Sequence, residues 1–127
     1  MPSWSFRYVV RHEDTAAALD EITGDRFPAV LATTKCIALL ELAAGHLLIP
    51  LCKPGELSVG VIVDVKHTAA TPPGARVSGT ARYTGRDGRL YAFEVSVKDP
   101  GGEVMTGVHK RAVIQLSRLL EGADKRR

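Results

Sequence analysis

A carboxylate, an imidazole and a hydroxyl are the groups in this chain that could do acid–base or nucleophilic chemistry together: Glu41, His67 and Thr33. Glu41 interrupts the apolar run Ile37-Ala38-Leu39-Leu40-Glu41-Leu42-Ala43-Ala44. Burying an unpaired carboxylate is costly, so it needs either a gap to solvent or a partner. His67 is the partner the pattern offers. It follows Val59, Val61, Val63 and Val65 at intervals of two, which share one face of a strand, so the ring is expected on the core side. Pro72-Pro73-Gly74 restricts the backbone soon afterwards, and a fixed backbone keeps a catalytic ring oriented. A core histidine satisfied by packing neighbours is the other reading. Thr33 precedes Glu41 by eight residues, about 12 Å along a helix axis. Direct contact is not required by that spacing. The two could touch opposite ends of one small ligand, or Thr33 and Thr34 could simply cap the helix.

Other positions gain interest from these three. Gly60 weakens a strand unless something approaches its backbone, so it is read as a bulge, a tight packing point, or an N–H offered to a ligand oxygen. His109 and Arg111 share a strand face with Met105, Gly107 and Val113, and an arginine there calls for a carboxylate or phosphate partner. His12 and His46 belong to no metal-binding spacing, and no metal site is expected. Cys36 and Cys52 form no Cys-x-x-Cys pair and are read as reduced packing residues of a cytoplasmic protein. No Walker loop, Gly-x-Gly-x-x-Gly or Gly-x-Ser-x-Gly motif is present in the sequence.

The 127 residues, 45% hydrophobic and 24% charged, suit one soluble domain over the whole chain, with a frayed tail from about residue 121. A net charge of +3, much of it from Lys125-Arg126-Arg127, is too weak to argue for nucleic acid. The N-terminus lacks the apolar stretch of a signal peptide. The apolar run from Leu39 to Leu51 contains Glu41, His46 and Pro50, and is expected to be too short and too interrupted to span a membrane.

The elements that must position these groups read in order. Trp4, Phe6, Tyr8 and Val10 alternate as a half-buried strand. Asp14 or Thr15 can cap a short helix that Gly24 ends. Residues 30 to 48 are helical and apolar on nearly all sides, as in a helix wrapped by protein. Four strands then follow as a meander, from 58 to 68, 76 to 83, 91 to 97 and 104 to 116, with turns at Pro72-Pro73-Gly74, Arg86-Asp87-Gly88-Arg89 and Asp99-Pro100-Gly101-Gly102. This is an α+β chain whose curved antiparallel sheet wraps one long buried helix, the hotdog architecture. So few strands cannot easily enclose so apolar a helix, so a homodimer is expected.

With these residues in place, the chain resembles the fluoroacetyl-CoA thioesterases and their relatives among hotdog-fold acyl-CoA hydrolases. The likeness rests on Phe27-Pro28 with Ala32-Thr33, Glu41, Gly60, the run His67-Thr68-Ala69-Ala70-Thr71-Pro72-Pro73-Gly74, and Gly107 through His109-Lys110-Arg111-Ala112-Val113-Ile114. It implies hydrolysis of a short-chain acyl-CoA, halogenated acyl groups included, by a Thr33/Glu41/His67 set. It places Gly60 at the acyl end of the pocket, Arg111 as a pocket arginine and Phe27 as an aromatic gate. It implies no cofactor beyond the coenzyme A of the substrate. A second gate aromatic of the family corresponds here to Gly24, which argues against strict fluoroacetyl selectivity. Release of an acyl group from a carrier protein and non-catalytic binding of an acyl-CoA or small metabolite are the competing functions. The hydratase pattern of an Asp and His set is missing from the helix.

Overall fold

The computed structural model describes residues 2–127. The strands are β1 (Ser3–Val9), β2 (Glu56–His67), β3 (Arg76–Asp87), β4 (Leu90–Asp99) and β5 (Gly102–Gln115). The helices are α1 (Asp20–Thr23), α2 (Thr33–Leu48) and α3 (Leu116–Asp124). All strand pairs are antiparallel, in the order β1-β3-β4-β5-β2. Only β3, β4 and β5 therefore form the expected meander. The strand that follows the long helix crosses to the far side of β5 and becomes an edge. The hotdog arrangement itself is as anticipated: one long helix lies against the concave face of a five-stranded sheet.

The core follows from period-two and helical patterning. Phe93, Val95 and Val97 of β4 and Val77 and Ala81 of β3 are buried against Leu39, Leu40, Ala43, Ala44 and Leu48 of α2. The helix approaches β3 closely at Gly79, where a Cβ would lie 3.1 Å from the Leu39 carbonyl oxygen. Cys36 is fully buried in this core and its thiol is pushed up to about 12 by desolvation, which makes it a packing residue. Both cysteines are free.

Several expectations need correction. α2 is not enclosed on all sides by one chain: Leu42 is 60% exposed on its outer face, and Ile49, just past its end, is 65% exposed. The 19-residue segment Thr33–Leu51 is, by length and composition, sufficient to cross a membrane; in this fold it packs on the sheet. The side chains of Asp14 and Thr15 cap no helix nitrogen of the following turn. Asp14 instead accepts from Tyr8 Oη (2.6 Å) and the Arg11 N–H (2.8 Å). Gly24 does terminate α1, in a left-handed conformation with φ 78°. The chain end is helical to Asp124, with Leu116, Leu119 and Leu120 exposed on α3.

The strand β2 departs most from simple alternation. Gly60 pairs with Arg111 and Ile62 with Lys110, so one extra residue enters between them as a β-bulge. One inserted residue inverts the facing of everything beyond it. Ser58 and Gly60 face the helix before the bulge, and Val63, Val65 and His67 do so after it. Val59 and Val61 are thus not on the face of His67, as strict alternation had suggested, and Val61 is 53% exposed.

Candidate active site

The first half of the site sits where α2 begins and β2 ends. Thr33 opens the helix but caps nothing; Ala32 is the N-cap residue and offers no side-chain bond. Thr33 Oγ1 lies 2.8 Å from His67 Nδ1. His67 is half-buried, and its Nε2 is buried without a hydrogen-bond partner among the described residues. The His67–Gly74 run explains this placement. Thr71, fully buried, accepts the Leu31 N–H at its carbonyl (2.8 Å) and donates its hydroxyl to Asp99 Oδ2 (2.8 Å). It therefore ties the segment entering α2 to the segment leaving β2. Asp14 adds a second tie by accepting the Ala32 N–H at its carbonyl. Its carboxylate pairs with Lys35 Nζ at 3.2 Å. Burial pushes the Asp14 carboxyl up, but hydrogen bonds from Tyr8, Arg11 and Lys35 outweigh it and hold the group below its ordinary range.

The second half lies two helical turns along α2. Glu41 Oε2 accepts from Arg111 Nη1 at 3.2 Å, with the Glu41 side chain still 38% exposed. Arg111 is nearly buried. Its Nε donates to Ser58 Oγ (3.0 Å) and its Nη2 to the Ser58 carbonyl (3.1 Å). Gly45 of α2 leaves room for the guanidinium, which lies 3.6 Å from where a Cβ would be. His109 is fully buried beside them, Nδ1 2.8 Å from the Ile62 carbonyl and Nε2 3.2 Å from Arg111 Nη1. Burial pushes the His109 imidazole below its ordinary value. The Ile62 carbonyl and Glu41 pull upward and Arg111 pulls down, and the net direction is down.

Gly60 borders the bulge and is a point of close approach, two of the readings its place in a strand offered. A Cβ there would overlap Glu41 Oε2 and stand 3.1 Å from His109 Cε1, so the glycine is the space the carboxylate occupies. Arg111 meets a carboxylate, as its apolar face demanded. Phe27 is 47% exposed on a loop, with its N–H bonded to Asp20 Oδ1 at 2.9 Å. Gly24 ends the short helix before that loop.

Within one chain the structure does not pair Glu41 with His67. It joins His67 to Thr33 and Glu41 to Arg111, and the Thr33-to-Glu41 spacing separates the two halves by about 12 Å of helix. His109 was placed on the face of Arg111 from sequence without a role of its own, and Ser58 was not noted at all. The available signal was their parity: Ser58 is two before Gly60, and His109 two before Arg111. Ser58 shares that face because it pairs with Val113, two residues after Arg111, in the regular register before the bulge. Among the described residues, no three His, Cys, Asp or Glu side chains cluster as metal ligands.

Comparison with known proteins gives a concordant picture. Residues 10–117 match the family model described as fluoroacetyl-CoA-specific thioesterase. A fluoroacetyl-CoA thioesterase from Streptantibioticus cattleyicolor is 42% identical over 92 residues, 72% of this chain and 66% of that protein; the match thus spans just under two thirds of the relative's length. The crystal structure of the fluoroacetyl-CoA thioesterase FlK superimposes with a TM-score of 0.93 at 34% identity, covering 99% of this chain and 95% of that one. A variant of FlK solved with fluoroacetate and CoA gives a TM-score of 0.84 at 33% identity, covering 93% and 96%.

Proposed function

We propose that this chain, which belongs to the fluoroacetyl-CoA-specific thioesterase family, hydrolyses a short-chain acyl-CoA to the free acid and CoA. The observation that carries this reading is a carboxylate anchored by a buried arginine over a glycine gap, on the same helix that presents Thr33 to His67. Glu41 has two chemically balanced routes. Its oxygen attacks the thioester carbonyl, the carbon–sulfur bond breaks, and CoA thiolate leaves with a proton from His67. Water, giving a proton back to His67, then attacks the acyl carbon of the mixed anhydride; the bond to Glu41 breaks, releasing the acid and regenerating both groups. In the other route Glu41 takes a proton from a water whose oxygen attacks the carbonyl; the carbon–sulfur bond breaks, the CoA thiolate takes a proton from His67, and the proton held by Glu41 passes to solvent as His67 is reprotonated. Thr33, through its bond to Nδ1, fixes the ring so that Nε2 faces the leaving group. The reaction needs no cofactor; CoA enters as part of the substrate.

The site works as a homodimer of reduced chains in the cytoplasm. β2 is a 12-residue edge strand, and its outer backbone and exposed Val61, Ile62 and Val63 await a partner. Antiparallel pairing of two copies around a two-fold axis near Asp64 sets residue 62 against 66 of the other copy. The bulge at Gly60 and Val61 then stands beside the partner's His67, with both helices on one side of a continuous sheet. The Glu41 of one copy thereby meets the Thr33–His67 pair of the other.

The test is thiol release from acetyl-, haloacetyl-, propionyl-, aromatic and long-chain CoA esters and from an acylated carrier protein. Turnover of a short acyl-CoA well above the long-chain and carrier-bound esters is expected. Binding with no thiol release, or a preference for the carrier-bound ester, refutes the assignment.

A further inference from the structure

His109 is fully buried next to the Glu41 anchor, and the reaction just described gives it no part. Its surroundings fix its hydrogen-bonding pattern. The bulge between Gly60 and Ile62 leaves the Ile62 carbonyl oxygen 2.8 Å from His109 Nδ1. A carbonyl oxygen can only accept, so Nδ1 carries the proton. In a ring with one proton, Nε2 is then an acceptor. It lies 3.2 Å from Arg111 Nη1, which can only donate. The same Nη1 lies 3.2 Å from Glu41 Oε2, whereas imidazole and carboxylate are 3.7 Å apart, beyond a hydrogen bond. The guanidinium therefore stands between a ring and a carboxylate and donates to both. With the other tautomer, an N–H would face an N–H and the arginine would lose this bond.

We propose that His109 is a positioning residue: the bulge carbonyl of Ile62 sets its Nδ1–H tautomer, and Nε2 orients Arg111 toward Glu41. Two donor–acceptor pairs on the other side of the guanidinium, both to Ser58, complete the fixation. The bulge thus does more than bend an edge strand, since it selects the tautomer on which the anchor depends. This inference rests on the thioesterase reading for its kinetic consequence but not for its tautomer.

The experiment compares His109→Asn with His109→Gln in the full chain. Asn places a donor where Nδ1 was and has no group at the Nε2 position. Gln places an acceptor where Nε2 was. With the substrate found in the thiol-release panel, His109→Asn is expected to lower kcat by about 10- to 100-fold with little change in KM, the loss of one charge-assisted bond. His109→Gln is expected to recover most of that. Equal kinetic losses in the two variants, tracking equal losses in melting temperature, would overturn the proposal, as would a Gln variant poorer than the Asn variant. The wild-type chain supplies an independent readout. Long-range 1H–15N spectra should give a pyridine-like Nε2 and a pyrrole-like Nδ1 for His109. A protonated Nε2 overturns the proposal even if both variants fail to fold. Absence of thiol release by the wild-type chain, with the spectrum as expected, would instead refute the functional reading alone.

Discussion

The two halves of the candidate site are built to different standards. Around Glu41, Arg111 has hydrogen-bonding partners at Nε, Nη1 and Nη2, and these come from β2, β5 and α2 of one chain. Around His67, one side-chain bond to Thr33 holds the ring, and Nε2 is buried with nothing to bond among the described residues. The first half needs no second molecule to be rigid. The second lies at the end of an edge strand, where a further copy of the chain would dock. An anion holder with four of its five N–H groups bonded and an imidazole held by one bond suit the proposed thioester hydrolysis, in which the carboxylate would stay fixed and the imidazole would reach a departing thiolate.

The largest effects are expected from removing either of the two groups proposed to react. Glu41→Ala and His67→Ala should each lower kcat by ~100- to 10,000-fold while leaving the fold intact. Near-wild-type turnover by either would eliminate that residue from the chemistry. Combining the two inactive chains by co-refolding tests how the halves meet. If Glu41 of one copy serves His67 of the other, a mixed dimer holds one site with both changes and one with neither. A statistical mixture then recovers about a quarter of wild-type activity. No recovery, in a mixture shown by tag capture to contain mixed dimers, would place each site within a single chain.

A smaller effect separates the halves by geometry. Gly60→Ala introduces a Cβ that overlaps Glu41 Oε2, the far end of a flexible side chain. The carboxylate can swing aside, so the fold should survive while Glu41 leaves Arg111; kcat should fall by about 10- to 100-fold, the scale expected for a misplaced group. Gly107→Ala is the contrast, because there the new Cβ meets the Asp64 carbonyl oxygen and Val65 backbone. It should lower the melting temperature with no specific loss of turnover in the molecules that stay folded. A Gly60→Ala enzyme of normal activity would mean that the glycine gap is not needed by Glu41.

The contrast also explains what the sequence could reveal. The hotdog order of elements was legible because β4 and the core face of α2 carry their periods without interruption: Phe93, Val95 and Val97, and Leu40, Ala43, Ala44 and Leu48. Arg111 announced an anionic partner, carboxylate or phosphate, by being a charge on an apolar face. The face of β2 was misread because a bulge leaves no residue signature apart from a glycine that has other uses. One extra residue moved Val59 and Val61 off the face of His67 and brought Ser58 and Gly60 onto the helix side. The crossover of β2 to the far edge was hidden for a similar reason, since strand order depends on tertiary packing and not on local pattern. Glu41 and His67 do not meet within one chain for a simpler reason: His67 reaches Thr33, and eight residues of helix separate Thr33 from Glu41. α3 was missed because it follows a strand with no intervening turn signal.

The smallest effect concerns acid stability, and it belongs to the Glu41 half. His109 has a folded-state pKa below its ordinary value of about 6.5, chiefly because burial penalises the cation. Below about pH 6.5 the unfolded chain takes up a proton at this position that the native chain refuses. Stability contributed by the neutral buried ring is therefore full above that pH and declines as pH falls, until the lower folded-state value is reached. Within that window each pH unit costs at most about 1.4 kcal/mol, or roughly 3–6 °C in melting temperature for a domain of this size. Asp14 contributes with the opposite charge but the same direction, and only at lower pH: its folded carboxyl lies below its ordinary range, so its contribution is lost as acidity passes through that range. Melting curves of wild type and His109→Gln between pH 7.5 and 5.5 isolate the histidine, because Gln cannot titrate. The wild type should lose more stability than the variant across that interval. Parallel curves would mean that the native ring takes up its proton as readily as the unfolded chain does, and the cation formed at low pH would deprive Arg111 of its acceptor and loosen the one half of the site that a single chain completes.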